Sequence, residues 1–271
     1  MPVSMSGLAD DLAAESAVLR GLLVPLDEDG WRQPTPAAGW SVLDQVTHLA
    51  WFDEAALRSA LQPEAFAAEQ ADPDPDGVAA AHRHRSGAEV LAWFDDARSR
   101  LLTAFRALDP ALRVPWYGPP MSAASALTAR IMETWAHGQD VADTLGVERE
   151  PTARLRHVAH IGIGARAYSY VVNGHMAPQT PIRVELAAPD GSTWTWGPDA
   201  AADRVAGPAL DFCLVVTQRR HLADTAVVAT GPVATEWMSF AQAYAGPAGT
   251  GRARKTSPEQ RYPRTGAGGA S

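Results

Sequence analysis

A chain of 271 residues, 46% of them hydrophobic, is long enough to bury one large core or two modest ones. Its formal charge of −8 argues against a broad nucleic-acid surface, which needs clustered Lys and Arg against phosphate. No apolar run approaches the roughly 18 residues of a membrane helix, and the residues after Met1 lack the basic and apolar segments of a secretory signal, so a cytoplasmic protein is expected.

The first half reads as helices. Ser6 is placed to cap a helix carrying Leu8, Leu12, Leu19, Leu22 and Leu23 as one stripe. Ser41 and Asp44 have capping-box spacing at the head of a second helix that runs toward Leu61. The Pro- and Asp-rich residues 72–77 predict a loop. A third helix over 88–108 places Val90, Phe94, Leu101, Phe105 and Leu108 on one face, and the prolines of 115–120 interrupt the chain again. The fourth helix, over 122–145, stops at Gly146. Four helices over residues 7–150 predict a four-helix bundle.

A linking helix over 153–173, within a 151–178 connection, leads to a different pattern. Ile182, Val184 and Leu186 alternate, Asp190 and Gly191 supply a turn, and residues 193–196 follow as a second strand of a hairpin. A helix over 201–218, a short strand near 225–230 and a helix over 233–243 complete a small unit of residues 179–245. The expected class is therefore α+β, a helical bundle followed by a small α+β domain. Residues 246–271 turn to Gly, Pro, Arg and Ser, predicting a disordered tail, and no internal repeat is present.

Cys213 is the single cysteine, which excludes an intramolecular disulfide and a multi-thiolate zinc site. It lies in an apolar run and reads as a buried packing residue, so thiol chemistry here would use a small-molecule thiol. Phosphate-binding glycine loops, the nucleophile elbow and the His-Glu-x-x-His zinc motif are absent.

Glu133 and His137 stand four residues apart and project from one face of the fourth helix. His48 borders the apolar face of the second helix, among Val46, Leu49 and Phe52. Two imidazoles and one carboxylate between packed helices would hold a divalent metal and leave coordination positions open. Such residues also serve as a surface pair and a core histidine, and the pattern alone leaves both readings standing. Arg130, Glu133, His137, Asp140 and Thr144 form a polar row that suits a cleft edge. Asp140 is placed to orient an imidazole or to serve as an ordinary helix-face carboxylate. His82 and His84 read as solvated, while His157 and His160 read as structural or as lining the same cleft.

The segment Gly39-Trp40-Ser41-Val42 with Asp44, His48 and Leu49, followed much later by Glu133, His137, Gly138 and Asp140, resembles the metal-binding N-terminal domain of mycothiol-dependent maleylpyruvate isomerases. That domain belongs to the wider DinB/YfiT-like four-helix group, and the resemblance covers residues 7–175. It implies His48, Glu133 and His137 as ligands of a divalent metal, zinc in the family, and mycothiol as thiol cosubstrate. It also implies a C-terminal α+β domain similar to sterol-carrier proteins, with a catalytic arginine for which Arg219 and Arg220 are the candidates. The whole chain looks closest to an actinobacterial subgroup without an agreed reaction.

The resulting expectation is a metal-dependent isomerase or S-transferase that activates a small thiol and acts on a small-molecule substrate. Two alternatives use the same residues: a thiol-independent hydrolase or lyase/cyclase tailoring a natural product, and a non-catalytic small-molecule-binding protein.

Overall fold

Ser4, rather than Ser6, caps the first helix by accepting from the Gly7 N–H at 3.2 Å. The computed structural model describes residues 4–69 and 73–255. Helices α1 (Met5–Leu23), α3 (Val42–Leu61), α6 (Gly87–Arg106) and α7 (Ala123–Leu145) pack as the bundle, with α2 (Glu28–Arg32), α4 (Pro63–Ala68) and α5 (Pro75–His82) at its flank. The expected capping box opens α3: Ser41 Oγ accepts from the Asp44 N–H, and Asp44 returns a carboxylate oxygen to the Ser41 N–H. Ser86 and Glu89 repeat the device at α6. Gly146 ends α7 at φ +66°, a left-handed cap that suits glycine.

Within the stretch expected to be a loop, α5 starts at Pro75 with Asp74 as its cap, because proline is tolerated in a helix's first turn. Residues 70–72 lie outside those described. A short hairpin, β1 (Arg113–Val114) with β2 (Met121–Ser122), brackets the Pro-rich break.

The bundle core has two apolar layers. Leu12, Leu101, Phe105, Leu127 and Ile131 belong to one, and Leu19, Val46, Leu49, Phe94 and Val141 to the other. A buried polar layer falls between them along the helices, where Asp53 accepts from Arg98 Nε at 2.6 Å and Arg130 Nε at 2.9 Å. Arg98 also donates to Thr134 at 3.0 Å and to Ser16. Each arm of this layer ties two helices together, and every charge in it is partnered.

The expected linking helix is two, α8 (Leu155–Gly164) and α9 (Arg166–Val172), separated at Ala165. Gly162 and Gly164 weaken helix persistence there; Gly162 also lets Val216 approach so closely that an added Cβ would lie 2.6 Å from it. The small domain carries a four-stranded sheet of order β4–β3–β5–β6. Strands β3 (Ile182–Ala187) and β4 (Thr193–Trp196) form the expected hairpin, with Leu186 opposite Trp194. The single helix expected over 201–218 is a strand followed by a helix: β5 (Asp203–Pro208), parallel to β3, and α10 (Ala209–Val216). Strand β6 (Val228–Thr230) and α11 (Pro232–Phe240) finish the domain. Val184, Leu186, Val205, Phe212 and Trp237 share one core with Met132 and Trp135 of α7. Thus α7 is buried on the bundle side and on the small-domain side, which puts its remaining face at the junction of the two units.

Residues 246–255, the described part of the expected tail, return to this junction, where Arg252 pairs with Asp140 of α7. Residues 256–271 lie outside those described. Among the described residues no helix is long and apolar enough to cross a membrane.

Candidate metal centre

The α3–α7 packing brings His48 to Glu133 and His137. Arg130, one turn before Glu133, donates to the Leu49 carbonyl at 3.3 Å and to Asp53, so it fixes α7 against the stretch of α3 that carries His48. Glu133 Oε2 then lies 3.5 Å from His48 Nε2 and 3.2 Å from His137 Nε2. One ligand atom from each of the three side chains falls within 4.8 Å of the others. Two donors at about 2.0–2.1 Å from a tetrahedral zinc are about 3.3–3.4 Å apart, so both contacts to Glu133 match the spacing of ligands sharing one ion. Side-chain exposures of 12%, 20% and 11% for His48, Glu133 and His137 show a group that is largely shielded but still touches solvent.

Gln45 decides which nitrogen of His137 is free. Its Oε1 lies 2.5 Å from His137 Nδ1, and its Nε2 donates to Thr35 Oγ1 at 2.8 Å. The Thr35 hydroxyl in turn donates to the Trp40 carbonyl at 2.9 Å. With the amide oriented this way, Nδ1 carries the hydrogen and the Nε2 lone pair of a neutral His137 faces Glu133. A lone pair opposed to a carboxylate at 3.2 Å calls for a cation between them, a proton or a metal ion. The donor set therefore fits a divalent ion, and a side chain held through its second ring nitrogen is the usual support of a metal-bound histidine.

Aromatic rings wall the site. Trp40 stacks on His137 with centroids 5.9 Å apart, and Phe52 lies 4.5 Å from His48. Trp40 is itself anchored, its indole N–H donating to Asp76 of α5 at 2.7 Å. Burial, followed by repulsion from His137, lowers the His48 pKa to about 4 against the opposing pull of Glu133. Burial works against the Glu133 carboxylate, yet hydrogen bonds and charge from His137 and His48 hold it well below the ordinary range.

The remaining site residues fall into two groups. Asp140 does not orient an imidazole: its oxygens accept from Arg219 at 2.8 Å and from Arg252, and Gln45 holds His137 instead. Arg220 is forked onto Asp143 at 2.6 and 2.7 Å, which leaves Arg219 as the candidate arginine nearer the His137 turn of α7. Away from the three converging residues, His82 stacks on Trp93 at 4.8 Å, and His157 pairs with Asp11 of α1 at 2.8 Å. Cys213 is buried as expected, its thiol pushed up by burial.

Residues 12–142 match the family described as mycothiol maleylpyruvate isomerase N-terminal domain. An uncharacterized protein of Mycobacterium tuberculosis, found in two strains, is 47% identical over 248 residues, which cover 89% of this chain and 96% of the relative. The chain belongs to the mycothiol maleylpyruvate isomerase N-terminal domain family. Within it, the crystal structure of the mycothiol-dependent maleylpyruvate isomerase aligns with a TM-score of 0.59 at 16% identity, covering 84% of this chain and 93% of that one. A histidine-to-alanine mutant of that isomerase aligns with a TM-score of 0.60 at 15% identity. These likenesses establish the fold, a helical N-terminal domain with a small α+β domain behind it. Residues 178–230, spanning β3 to β6, match a second family described as wyosine base formation, and none of the three converging residues lies in that stretch.

Proposed function

We propose that this protein is a divalent-metal enzyme of the mycothiol-dependent isomerase or S-transferase type. The observation that carries the reading is the meeting of His48 Nε2, Glu133 Oε2 and His137 Nε2, with the His137 tautomer set by Gln45. Membership of the mycothiol maleylpyruvate isomerase N-terminal domain family supports it. A divalent ion, zinc by donor type, would lower the pKa of a small thiol and make the thiolate available near neutral pH.

The chain's own residues do the rest. Gln45 keeps the His137 lone pair directed at the site, and Trp40 and Phe52 keep water from two sides of the imidazoles. Arg219, not committed to a forked pair, holds an anionic group of the substrate. The thiolate adds to an activated alkene and leaves a stabilised carbanion; an isomerase then expels the thiolate after bond rotation, whereas a transferase retains the new carbon–sulfur bond and the carbanion takes up the proton lost by the thiol. Because Cys213 is buried, the thiol is supplied from outside, and mycothiol in the cytoplasm is the proposed source.

Metal analysis by plasma mass spectrometry tests the reading. About one ion per chain in the wild type, lost in His137→Ala, is expected. A cobalt-substituted protein should change its visible spectrum on addition of mycothiol. A protein that takes up no added metal overturns the proposal, and a cobalt spectrum indifferent to thiol moves the chemistry to metal-activated water.

A further inference from the structure

Beyond the triad, the junction holds three guanidinium groups against two carboxylates. Arg220 and Asp143 form a closed, forked pair. Asp140, 1% exposed, is shared: Arg219 Nη2 donates to one oxygen at 2.8 Å and Arg252 Nη2 to the other. Neither guanidinium is forked on it. Arg219 Nη1 goes to the Thr217 carbonyl at 2.7 Å, and its Nε is buried with no partner. Arg252 has no further protein acceptor among the described residues. Three guanidiniums thus share two hydrogen-bonded carboxylates, with Asp224 acting on Arg220 from further away, and N–H donors of Arg219 and Arg252 remain unfilled in a half-buried place. Burial of the Arg252 charge, opposed by Asp140 and reinforced by repulsion from Arg219, lowers its pKa.

The position matters as much as the charge. Glu133, His137 and Asp140 lie on one face of α7, and Asp140 is about 4.5 Å along the axis from His137. Tyr244 bridges the two places. Its phenol donates to Gln218 at 2.6 Å, burial pushes its pKa up, and Arg219, Glu133 and Asp140 all act on it electrostatically. The segment that ends in Arg252 therefore passes close to the α7 face that carries Glu133 and Asp140.

We propose that Arg252, brought in by the C-terminal segment, forms with Arg219 a binding site for a carboxylate of the substrate. The inference rests on the proposed function for the word substrate, and on the paired arginines for the anion. Asp140 already spaces the two guanidiniums on a carboxylate, and a second carboxylate would accept from their free N–H groups and offset the local excess of guanidinium charge.

Calorimetric titration of the full chain with malonate, and with the neutral malonamide, tests this in zinc-loaded and zinc-free protein. Saturable binding of malonate alone is expected in the wild type. Arg252→Gln should weaken it about tenfold or more, the worth of a charge-assisted hydrogen bond, and Arg252→Lys should recover part of the loss. Other contacts keep the segment docked without the guanidinium: the Gly249 N–H on Gln242 at 2.9 Å and the Lys255 N–H on Asp224 at 2.7 Å. Equal affinity for malonamide, unchanged affinity in Arg252→Gln, or equal loss in both variants overturns the inference. Metal content is measured in the same samples. Malonate binding that depends on Arg252 in a protein unable to take up metal would sink the proposed function and leave the anion site standing.

Discussion

The Nδ1 of His137 and the side-chain oxygen of Gln45 meet at 2.5 Å across the α3–α7 interface. Gln45 is buried at the heart of an apolar stretch, and its amide is satisfied at both ends, by His137 and by Thr35. Such a residue stabilises the fold less than an apolar one would, so its value lies in the imidazole it orients. Gln45→Leu is expected to leave the helical circular dichroism intact and to weaken metal binding by about 10–100-fold. Competition with a chromogenic chelator measures it. Unchanged affinity would remove Gln45 from the site.

The ligands themselves should behave differently from their support. His48→Ala and Glu133→Gln are expected to abolish stoichiometric metal uptake, as His137→Ala should, because three protein ligands leave no reserve. Equilibrium dialysis against zinc, with folding checked by circular dichroism, decides the matter. Retained stoichiometry in both variants would mean that the metal is held elsewhere.

The pairing of Glu133 with His137 was legible because helical spacing fixes it, whereas the convergence of His48 on them was implied by the resemblance around its helix cap. Gln45 was missed although a signal existed: it stands one turn before His48 and interrupts the buried run of Val42, Leu43, Val46 and Leu49. Local pattern also failed at β5. Residues 203–208 run without a break into the apolar helix α10, and the pairing with β3 that makes them a strand comes from elsewhere in the chain. Arg252 was hidden for the same reason. A Gly- and Pro-rich composition reads as unstructured, whereas the ion pair with Asp140 depends on where α7 lies.

Acid should destabilise the metal-free protein before ordinary carboxylates titrate. The folded-state pKa of His48 is lowered to about 4 from 6.5, chiefly by burial. Below 6.5 the unfolded chain binds a proton that the folded chain refuses, so stability falls as pH drops from about 6.5 to about 4. At about 1.4 kcal/mol per unit the loss is at most about 3.5 kcal/mol. Glu133 acts in the same direction at lower pH: its folded-state pKa is depressed, so its contribution is present above the unfolded value and lost as pH falls through the folded one. Urea midpoints between pH 7 and 4 in the presence of a chelator should show a steeper fall for the wild type than for His48→Gln. Parallel profiles would refute the assignment.

Cys213 should be inert in the native state. Its side chain is fully buried, its sulfur lies 3.4 Å from the Leu155 carbonyl, and burial pushes its pKa up. Ellman's reagent is expected to titrate no thiol until denaturant is added, then one per chain. Fast labelling of the native protein would bring the residue back as a chemical group and weaken the case for an external thiol.

Asp53 offers a separation of stability from site geometry. It is fully buried between Arg98 and Arg130, and Asp53→Ala would strand two guanidiniums in the core. Removing one partner of a buried ion pair costs about 3–5 kcal/mol, whereas replacing the whole set by apolar residues is often neutral or stabilising. Asp53→Ala should therefore lower the denaturant midpoint sharply, and the combined Asp53→Leu, Arg98→Met, Arg130→Met variant should recover much of it. Metal affinity need not follow. Arg130 also donates to the Leu49 carbonyl, next to His48, and sits one turn before Glu133. The combined variant keeps its packing but loses that tie, so its zinc affinity should stay below the wild-type value although its stability returns. Chelator competition alongside urea titration reads the two quantities separately. Zinc affinity that recovers in step with stability would show that the buried ion pairs serve the bundle alone and do not position the metal ligands.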